Sequence, residues 1–365
     1  MSESRQARPP AWGPVHVVGA GLLGTSIGLA LTRAGVEVWL SDLNHEHVRT
    51  ASGLGAGTPY AGGEPGLVVV AVPPAHIADA VVEALEGTGF VTDIGSVKGL
   101  PLRQVSDRVG EKELARYVGS HPMAGSERSG PLAANADLFE GRAWAVTPHV
   151  HAAPEAIGMV EALAAACGAQ TVRLSPVEHD QAVARTSHVP HLLAALAAAQ
   201  LTDAQPDHLA LSGQGVRDVT RVAGGDPALY DQIIRANAVA VGEVLDDVRR
   251  RLDEVIAAVS ARTSEDPDEA LEVILSRGVD GTRMIPAKHG GPPIDTGSVF
   301  VAVPDTPGEL ARLFADVGEI GVNVEDLRIE HDPGRPVGLV ELVVRAAAAD
   351  GLIGALETRQ WRAHR

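Results

Sequence analysis

One segment constrains this chain more than any other: VHVVGAGLLGTSIGLAL, beginning at Val15. A β-branched run passes into Gly19, Gly21 and Gly24 at G-x-G-x-x-G spacing, and then into a helical pattern from Leu22 to Arg33. In a strand–loop–helix unit, Gly19 permits the tight turn and Gly21 lets a bound group approach the backbone. Gly24 lets the helix lie against the strand. The first N–H groups of such a helix, at Leu22 and Leu23, have no partner within it and attract phosphate. A second apolar run, Val36-EVWL, ends at Ser41-Asp42, and Asp42 follows Gly21 by 21 residues. An acid there accepts hydrogen bonds from ribose hydroxyls and repels a 2′-phosphate, and no arginine follows at once. The pattern therefore points to a dinucleotide, NAD rather than NADP. A lone glycine motif is often a turn that binds nothing; strand, helix and acid in place together argue against that reading.

The rest of the first half alternates in the same way. Leu67-VVVAV is closed by Pro73-Pro74, a helix is expected near 75–85, and strands are expected at Phe90-VTD, near Arg116-YVG and at Ala143-WAVTP. Continuous apolar strands alternating with helices predict an α/β fold with a parallel sheet covered on both faces. Ligands of such sheets lie beyond the carboxyl ends of the strands. Two segments fall there. DIGSVKG follows the fourth strand and carries Ser96 and Lys98; GSHPMAGSE follows the fifth and carries His121. His121 is thereby aimed at the nicotinamide end of the crevice. On position alone, a histidine that merely caps a strand fits as well, and Ser96 and Lys98 fit as caps of the next helix.

Composition changes near Ser175. Ser175-Pro-Val-Glu178 has the form of a helix start with a capping box, and the chain reads as helical from there to about Arg277. His188 and His191 are three apart and share a helical face, with Pro190 expected to kink the helix between them. The segment GQGVRDVTR brings Arg217 and Arg221, whose forked donors suit a carboxylate; a surface pair between Arg217 and Asp218 is the plainer alternative. Residues 278–296 have the glycine and proline density of a linker. Residues 297–365 spell βαββαβ, a ferredoxin-like unit.

The charge balance limits the partners. Thirty Lys and Arg against 47 Asp and Glu give a formal charge of −17, which disfavours nonspecific nucleic-acid binding and anionic membrane surfaces. Cys167 stands alone, so neither a disulfide framework nor a multi-cysteine metal site is expected, and the histidines lack acids at ligand spacing. No apolar run reaches the ~18 residues of a membrane span. The first thirteen residues lack the apolar core of a signal peptide, so a cytoplasmic location is expected.

Taken together, VVGAGLLGTSIGLAL, DIGSVKG, GSHPMAGSE, SHVPH and RDVTR, in this order over roughly residues 15–277, resemble the prephenate/arogenate dehydrogenase family of tyrosine biosynthesis. The resemblance implies a Rossmann-type NAD-binding domain (1–174), a central all-helical domain that binds substrate and forms a homodimer (175–277), and a linker (278–296). The family reaction is an oxidative decarboxylation: hydride leaves the hydroxyl-bearing ring carbon for NAD, carbon dioxide departs and the ring becomes aromatic. By resemblance His121 takes the hydroxyl proton, Ser96 supports that hydroxyl and the histidine, and Arg221 anchors a carboxylate. His191 lies near the substrate side chain, Ser126 and Glu127 line the pocket entrance, and Asp218 steadies Arg221. The family often has an aromatic residue where this chain has Val216. Prephenate ends in a keto acid and arogenate in an amino acid. Glu127 would favour the ammonium if it faced it and would not if it paired with Arg217; prephenate is the expected substrate.

The last segment, 297–365, resembles an ACT domain, with Gly308 and Asn323 at the usual effector positions and tyrosine as the natural effector; a dimerisation module without ligand is the alternative. Two other classes fit the residues less well. A 6-phosphogluconate-like dehydrogenase would use a lysine base from the helical domain, and no lysine occurs between Lys112 and Lys288. A non-catalytic sensor of NAD and an amino acid would tolerate loss of His121 and Arg221, and both are present. Only about a dozen residues precede the first strand, so a fused chorismate mutase is not expected within this chain.

Overall fold

β1 (Val15–Val18) leads through the glycine loop into α1 (Leu22–Arg33), the helix that the periodicity predicts. In this computed structural model, residues 13–125, 129–260, 270–285, 295–331 and 337–365 are described. β2 (Val38–Ser41), α2 (His45–Gly53), the short β3 (Thr58–Pro59) and β4 (Leu67–Val70) follow. Then come α3 (Ile77–Leu85), β5 (Phe90–Asp93), α4 (Gly99–Ser106) and α5 (Glu111–Leu114). The five strands make one all-parallel sheet in the order β3-β2-β1-β4-β5. The order reverses between β1 and β4, which is where a Rossmann-type sheet opens its ligand crevice.

Two separate apolar clusters show that both faces are covered. Val15 and Val17 pack with Ile27, Ala30 and Leu31 of α1, whereas Val68, Val70 and Val91 pack with Ile77, Val81 and Leu85 of α3. β4 is accordingly buried at every residue, which is why its sequence is continuous rather than alternating.

The sheet expected to continue in parallel does not. β6 (Gly119–Pro122), β7 (Ala143–Thr147), α6 (Pro154–Ala166) and β8 (Gln170–Arg173) build a smaller sheet, with β6 antiparallel to β7 and β7 parallel to β8. Tyr117, read from sequence as part of a strand, makes a single parallel bridge to Val91. The strand proper begins at Gly119 and pairs His121 with Ala145. His121 therefore lies within a strand, not in the loop past its end.

α7 (Pro176–Val183) opens on the expected capping box: Ser175 Oγ accepts from Glu178 N–H at 3.2 Å, and Glu178 Oε2 accepts from Ser175 N–H at 2.8 Å. α7 passes through a π-helical turn, Ala184–His188, into α8 (Val189–Ala199). Pro190 has no N–H to give and its ring crowds the carbonyl four residues back. The wider turn makes room for it, so the helix continues where a kink was expected. α9 (Pro206–Leu209), α10 (Gln214–Arg221), α11 (Pro227–Ala236) and α12 (Ala238–Ser260) complete the helical part. The chain divides into units 1–251 and 252–365, the division falling inside α12.

In the second unit α13 (Ala270–Arg283) runs through Gly278 and Gly281. The expected linker is thus helical as far as Arg283. Two glycines cost a helix about 1 kcal/mol each without breaking it, and Arg283 pairs with Asp280 one turn back. β9 (Thr296–Pro304), α14 (Glu309–Ile320), β10 (Asp326–His331), β11 (Val337–Arg345), α15 (Ala346–Thr358) and β12 (Arg362–His364) follow as βαββαβ. Their sheet has the order β10-β11-β9-β12, all antiparallel, which is ferredoxin-like. Val299, Val301 and Val303 pack there against Leu313, Val317, Leu352 and Leu356.

Candidate active site

The glycine loop has the geometry of a phosphate cradle. Gly19 holds φ +104°, and a Cβ there would run into the Ala71 carbonyl. A Cβ on Gly24 would strike the Gly19 carbonyl, so α1 sits directly on the loop. A Cβ on Gly21 would meet nothing within 4 Å; the loop is open on that side. The amides of Leu22 and Leu23 begin α1 beside this opening. At the end of β2, Asp42 Oδ2 accepts from Ala20 N–H at 2.7 Å and Oδ1 from Asn44 N–H at 2.7 Å. Two backbone donors leave lone pairs on a carboxylate for ribose hydroxyls. These residues fit a dinucleotide.

Beyond β5 lies a buried polar knot. Asp93 and Lys98 pair through Oδ1 and Nζ with both side chains buried, and Lys98 Nζ also donates to the Ser120 carbonyl at 2.7 Å. Tyr117 Oη donates to Asp93 Oδ2 at 2.7 Å. Burial pushes the Lys98 amine down, against the pull of Asp93, and holds the Tyr117 hydroxyl well above its ordinary value. In the sequence Lys98 fits as a helix cap; in the structure its amine ties the β5 exit to β6.

From the same place a chain of side chains runs into the helical part. His121 Nδ1 lies 3.0 Å from His179 Nε2, and His179 Nδ1 lies 2.9 Å from Asp180 Oδ1. Asp180 also accepts from the backbone N–H of Lys98 and of Gly99, each at 2.8 Å. Asn237 Nδ2 donates to the Asp180 carbonyl at 2.8 Å and meets His188 Nδ1 at 3.2 Å. His179 is buried, while His121 keeps part of its surface open. Burial, then the neighbouring His179, Lys98 and His188, hold the His121 ring well below its ordinary 6.5, so it is a neutral base at physiological pH. His179 and Asp180 were missed in the sequence. The signal was there: Pro176, His179, Asp180 and Val183 form the buried stripe of α7, and two of those four are polar.

The other expected residues divide. His191 is buried, stacks on Tyr230 with ring centroids 3.4 Å apart, and has an Nδ1 without a hydrogen-bond partner among the described residues. Gly225 makes that stack possible, since a Cβ there would press on Tyr230 at 2.7 Å. Arg221 ends α10 and is exposed. Asp218, expected to steady Arg221, instead accepts from Gln214 Nε2 at 2.9 Å. Ser96 lies in the loop between β5 and α4 and makes no hydrogen bond to His121. Ser126 and Glu127 lie outside the described residues. In the second unit Gly308 lines a cavity of about 330 Å³ together with Val303, Asp305, Thr306, Leu310 and Ile329. Asn323 is not among the residues that line it; its Nδ2 donates to Glu325 Oε1 at 3.0 Å. Among the described residues no group of three or more His, Cys, Asp or Glu side chains is placed to hold a metal, and no helix is long and apolar enough to cross a membrane.

A 3-2-1-4-5 parallel sheet, a glycine cradle with its acid and a half-buried, neutral histidine on the neighbouring strand fit a dinucleotide-dependent dehydrogenase. The profile of "Prephenate dehydrogenase, nucleotide-binding domain" matches residues 27–173, and that of "Prephenate dehydrogenase, dimerization domain" matches 175–275. The chain is 37% identical over 358 residues to a probable prephenate dehydrogenase, NovF, of Streptomyces niveus, covering 95% of this chain and 98% of the relative. It is 28% identical over 332 residues to a prephenate dehydrogenase of Bacillus subtilis, covering 86% and 87%. Among solved structures, prephenate dehydrogenase of A. aeolicus in complex with hydroxyphenyl propionate and NAD+ superposes with a TM-score of 0.66 at 25% identity, over 75% of this chain and 98% of that one. The chain belongs to the prephenate dehydrogenase family.

Proposed function

We infer that this chain catalyses the NAD-dependent oxidative decarboxylation of prephenate to 4-hydroxyphenylpyruvate. The observation that carries the reading is the neutral imidazole of His121, backed by His179, on a strand that begins two residues past the bridge to the nucleotide-binding sheet. NAD, held by the loop from Gly19 to Gly24 and by Asp42, supplies a hydride acceptor when bound. His121 Nε2 takes the proton of the ring hydroxyl as that carbon is oxidised, and Ser96 holds the same hydroxyl. Loss of carbon dioxide then sends an electron pair through the ring to this oxygen, and His121 returns the proton to give the phenol. No proton is gained or lost overall, so one residue serves as base and then as acid. Arg221 anchors a substrate carboxylate by its forked donors, His191 faces the substrate side chain, and Ser126 and Glu127 border the entrance. In this reading residues 1–174 bind the nucleotide, 175–277 bind substrate and pair two copies into a homodimer, and 297–365 form an ACT module that takes tyrosine. The cavity holding Gly308 supports the last assignment, with Asp305 at hand for an ammonium group.

The test is NADH formation by the purified chain from prephenate and from arogenate, each with NAD and with NADP, and with tyrosine added. Prephenate with NAD should give the highest kcat/KM, and tyrosine should lower it. His121→Asn should cut turnover ~10²–10⁴-fold, the usual worth of such a base, while NAD still binds. Absence of NADH from either dienol, or unaltered turnover in the variant, refutes the reading.

A further inference from the structure

A hydrogen-bond account of the chain behind His121 fixes where each hydrogen sits. Both oxygens of Asp180 face backbone N–H groups, of Lys98 and Gly99, and such groups only donate. The carboxylate is therefore the acceptor at that end, and His179 Nδ1, 2.9 Å from Oδ1, carries a hydrogen toward it. With a single ring hydrogen placed there, His179 offers Nε2 as a lone pair. His121 Nδ1, 3.0 Å away, must carry the hydrogen of that contact. A neutral His121 has only one ring hydrogen, so its Nε2 is left bare, the state a general base needs.

We propose that His179 and Asp180 are positioning residues: they fix His121 with its hydrogen on Nδ1 and its lone pair on Nε2, and they steady the imidazolium formed when His121 takes up the hydroxyl proton. The proposal rests on the reading of His121 as the base. The groups facing His121 are His179 and Asp180 on α7, His188 on the π-helical turn, Lys98 before α4 and, behind it, Asp93 on β5. Of these, the carboxylate reached through His179 is the one that favours a charged His121 ring; Lys98 opposes it and is itself neutralised by Asp93. Among the described residues, the protonated ring thus has its route to negative charge through His179. The same two residues link the nucleotide-binding part to the helical part, because Asp180 caps α4 across the boundary.

In Asp180→Asn the amide can keep its oxygen toward His179 Nδ1 and Lys98 N–H, so what the variant removes is the negative charge behind the imidazolium. Turnover should fall about tenfold or more, with KM for prephenate and Kd for NAD within about twofold of the parent. A kcat within twofold of the parent overturns the proposal, as does a rise in KM at unchanged kcat. Since Asp180 also caps α4, a second pair bears on the same point without touching it. His179→Gln keeps an oxygen that accepts from His121 Nδ1 and should retain at least about tenfold more turnover than His179→Leu; equal rates in the two overturn the proposal. The third readout needs neither variant of the pair nor substrate. Nitrogen-15 spectra of histidine-labelled parent protein, with His121 assigned by difference from His121→Asn, should show the Nδ1–H form at neutral pH. An Nε2–H form overturns the relay even if the chain oxidises prephenate. A parent enzyme inactive on prephenate and arogenate would instead retire the functional reading.

Discussion

At the scale of single residues, this protein keeps several imidazoles neutral inside it, and that choice has a cost in acid. Burial holds His16 and His188 at about 4, and holds His121 well below 6.5, chiefly by desolvation. In the unfolded chain all three titrate near 6.5. As pH falls below 6.5 the unfolded chain binds protons that the folded one refuses, so unfolding gains free energy at every step down. The stability these groups confer is complete above pH 6.5 and is lost as pH falls toward about 4. Thermal unfolding should therefore give a Tm that is level from pH 8 to about 6.5 and declines between about 6.5 and 5, before most carboxylates titrate. A Tm that is flat to pH 5 contradicts the burial argument. On the proposed role of His121, catalysis follows the same sign: the ring stays neutral below the pH at which an ordinary histidine is protonated. Turnover should outlast neutrality on the acid side for as long as the fold does.

Elements show what was legible in the sequence and what was not. α1, β5 and the βαββαβ unit could be read directly, because each is declared by its own residues: a glycine loop and 3.6-residue period, a β-branched run, alternation between turns. β6 could not. GSHP has no apolar period of its own, and it is a strand because Ala143–Thr147, well over twenty residues on, offers it a partner. Lys98 likewise looks like a helix cap until Asp93, Tyr117 and Ser120 are brought round it. The glycine loop was legible and is also testable as an element, because its glycines answer to different neighbours. Gly24 touches the protein itself and Gly21 faces open space. Gly24→Ala should push α1 off the loop, lowering Tm and abolishing NAD binding together; overpacking of this kind costs ~1–3 kcal/mol or more. Gly21→Ala should leave Tm within a degree or two and weaken NAD at least about tenfold, since the added methyl intrudes only on the ligand. Calorimetric titration with NAD beside thermal unfolding separates the two; equal effects on Tm would mean that Gly21 is structural and the cradle misassigned.

At the scale of the whole molecule, α12 presents an apolar stripe that one copy of the chain uses only in part. In its first half Val241, Val244, Leu245 and Val248 pack onto Ala184, Val189, Leu192 and Ile234. The stripe continues every three or four residues through Leu252, Ile256 and Val259, which are 54%, 54% and 61% exposed. A helix with such a face is covered by something in solution, and residues 175–275 match a dimerization domain. Two copies of a chain with a formal charge of −17 repel each other, so polar contacts alone would not hold them; apolar burial has to outweigh that repulsion. Sedimentation velocity at micromolar concentration should give about twice 37.8 kDa. Leu252→Glu combined with Ile256→Glu places two more negative charges on the stripe of each copy and should give the single-chain mass. The loss should also make Tm independent of protein concentration, where the dimer's Tm rises with it by mass action. Parent protein that sediments as a single chain would refute the dimer, and a double variant that remains paired would move the contact off this stripe. Because the stripe starts in the helical core that holds Asn237 and His188, and those lead through Asp180 to His121, separation of the copies should also lower turnover at saturating substrate. A monomeric variant with undiminished kcat would show that the relay is set within one chain.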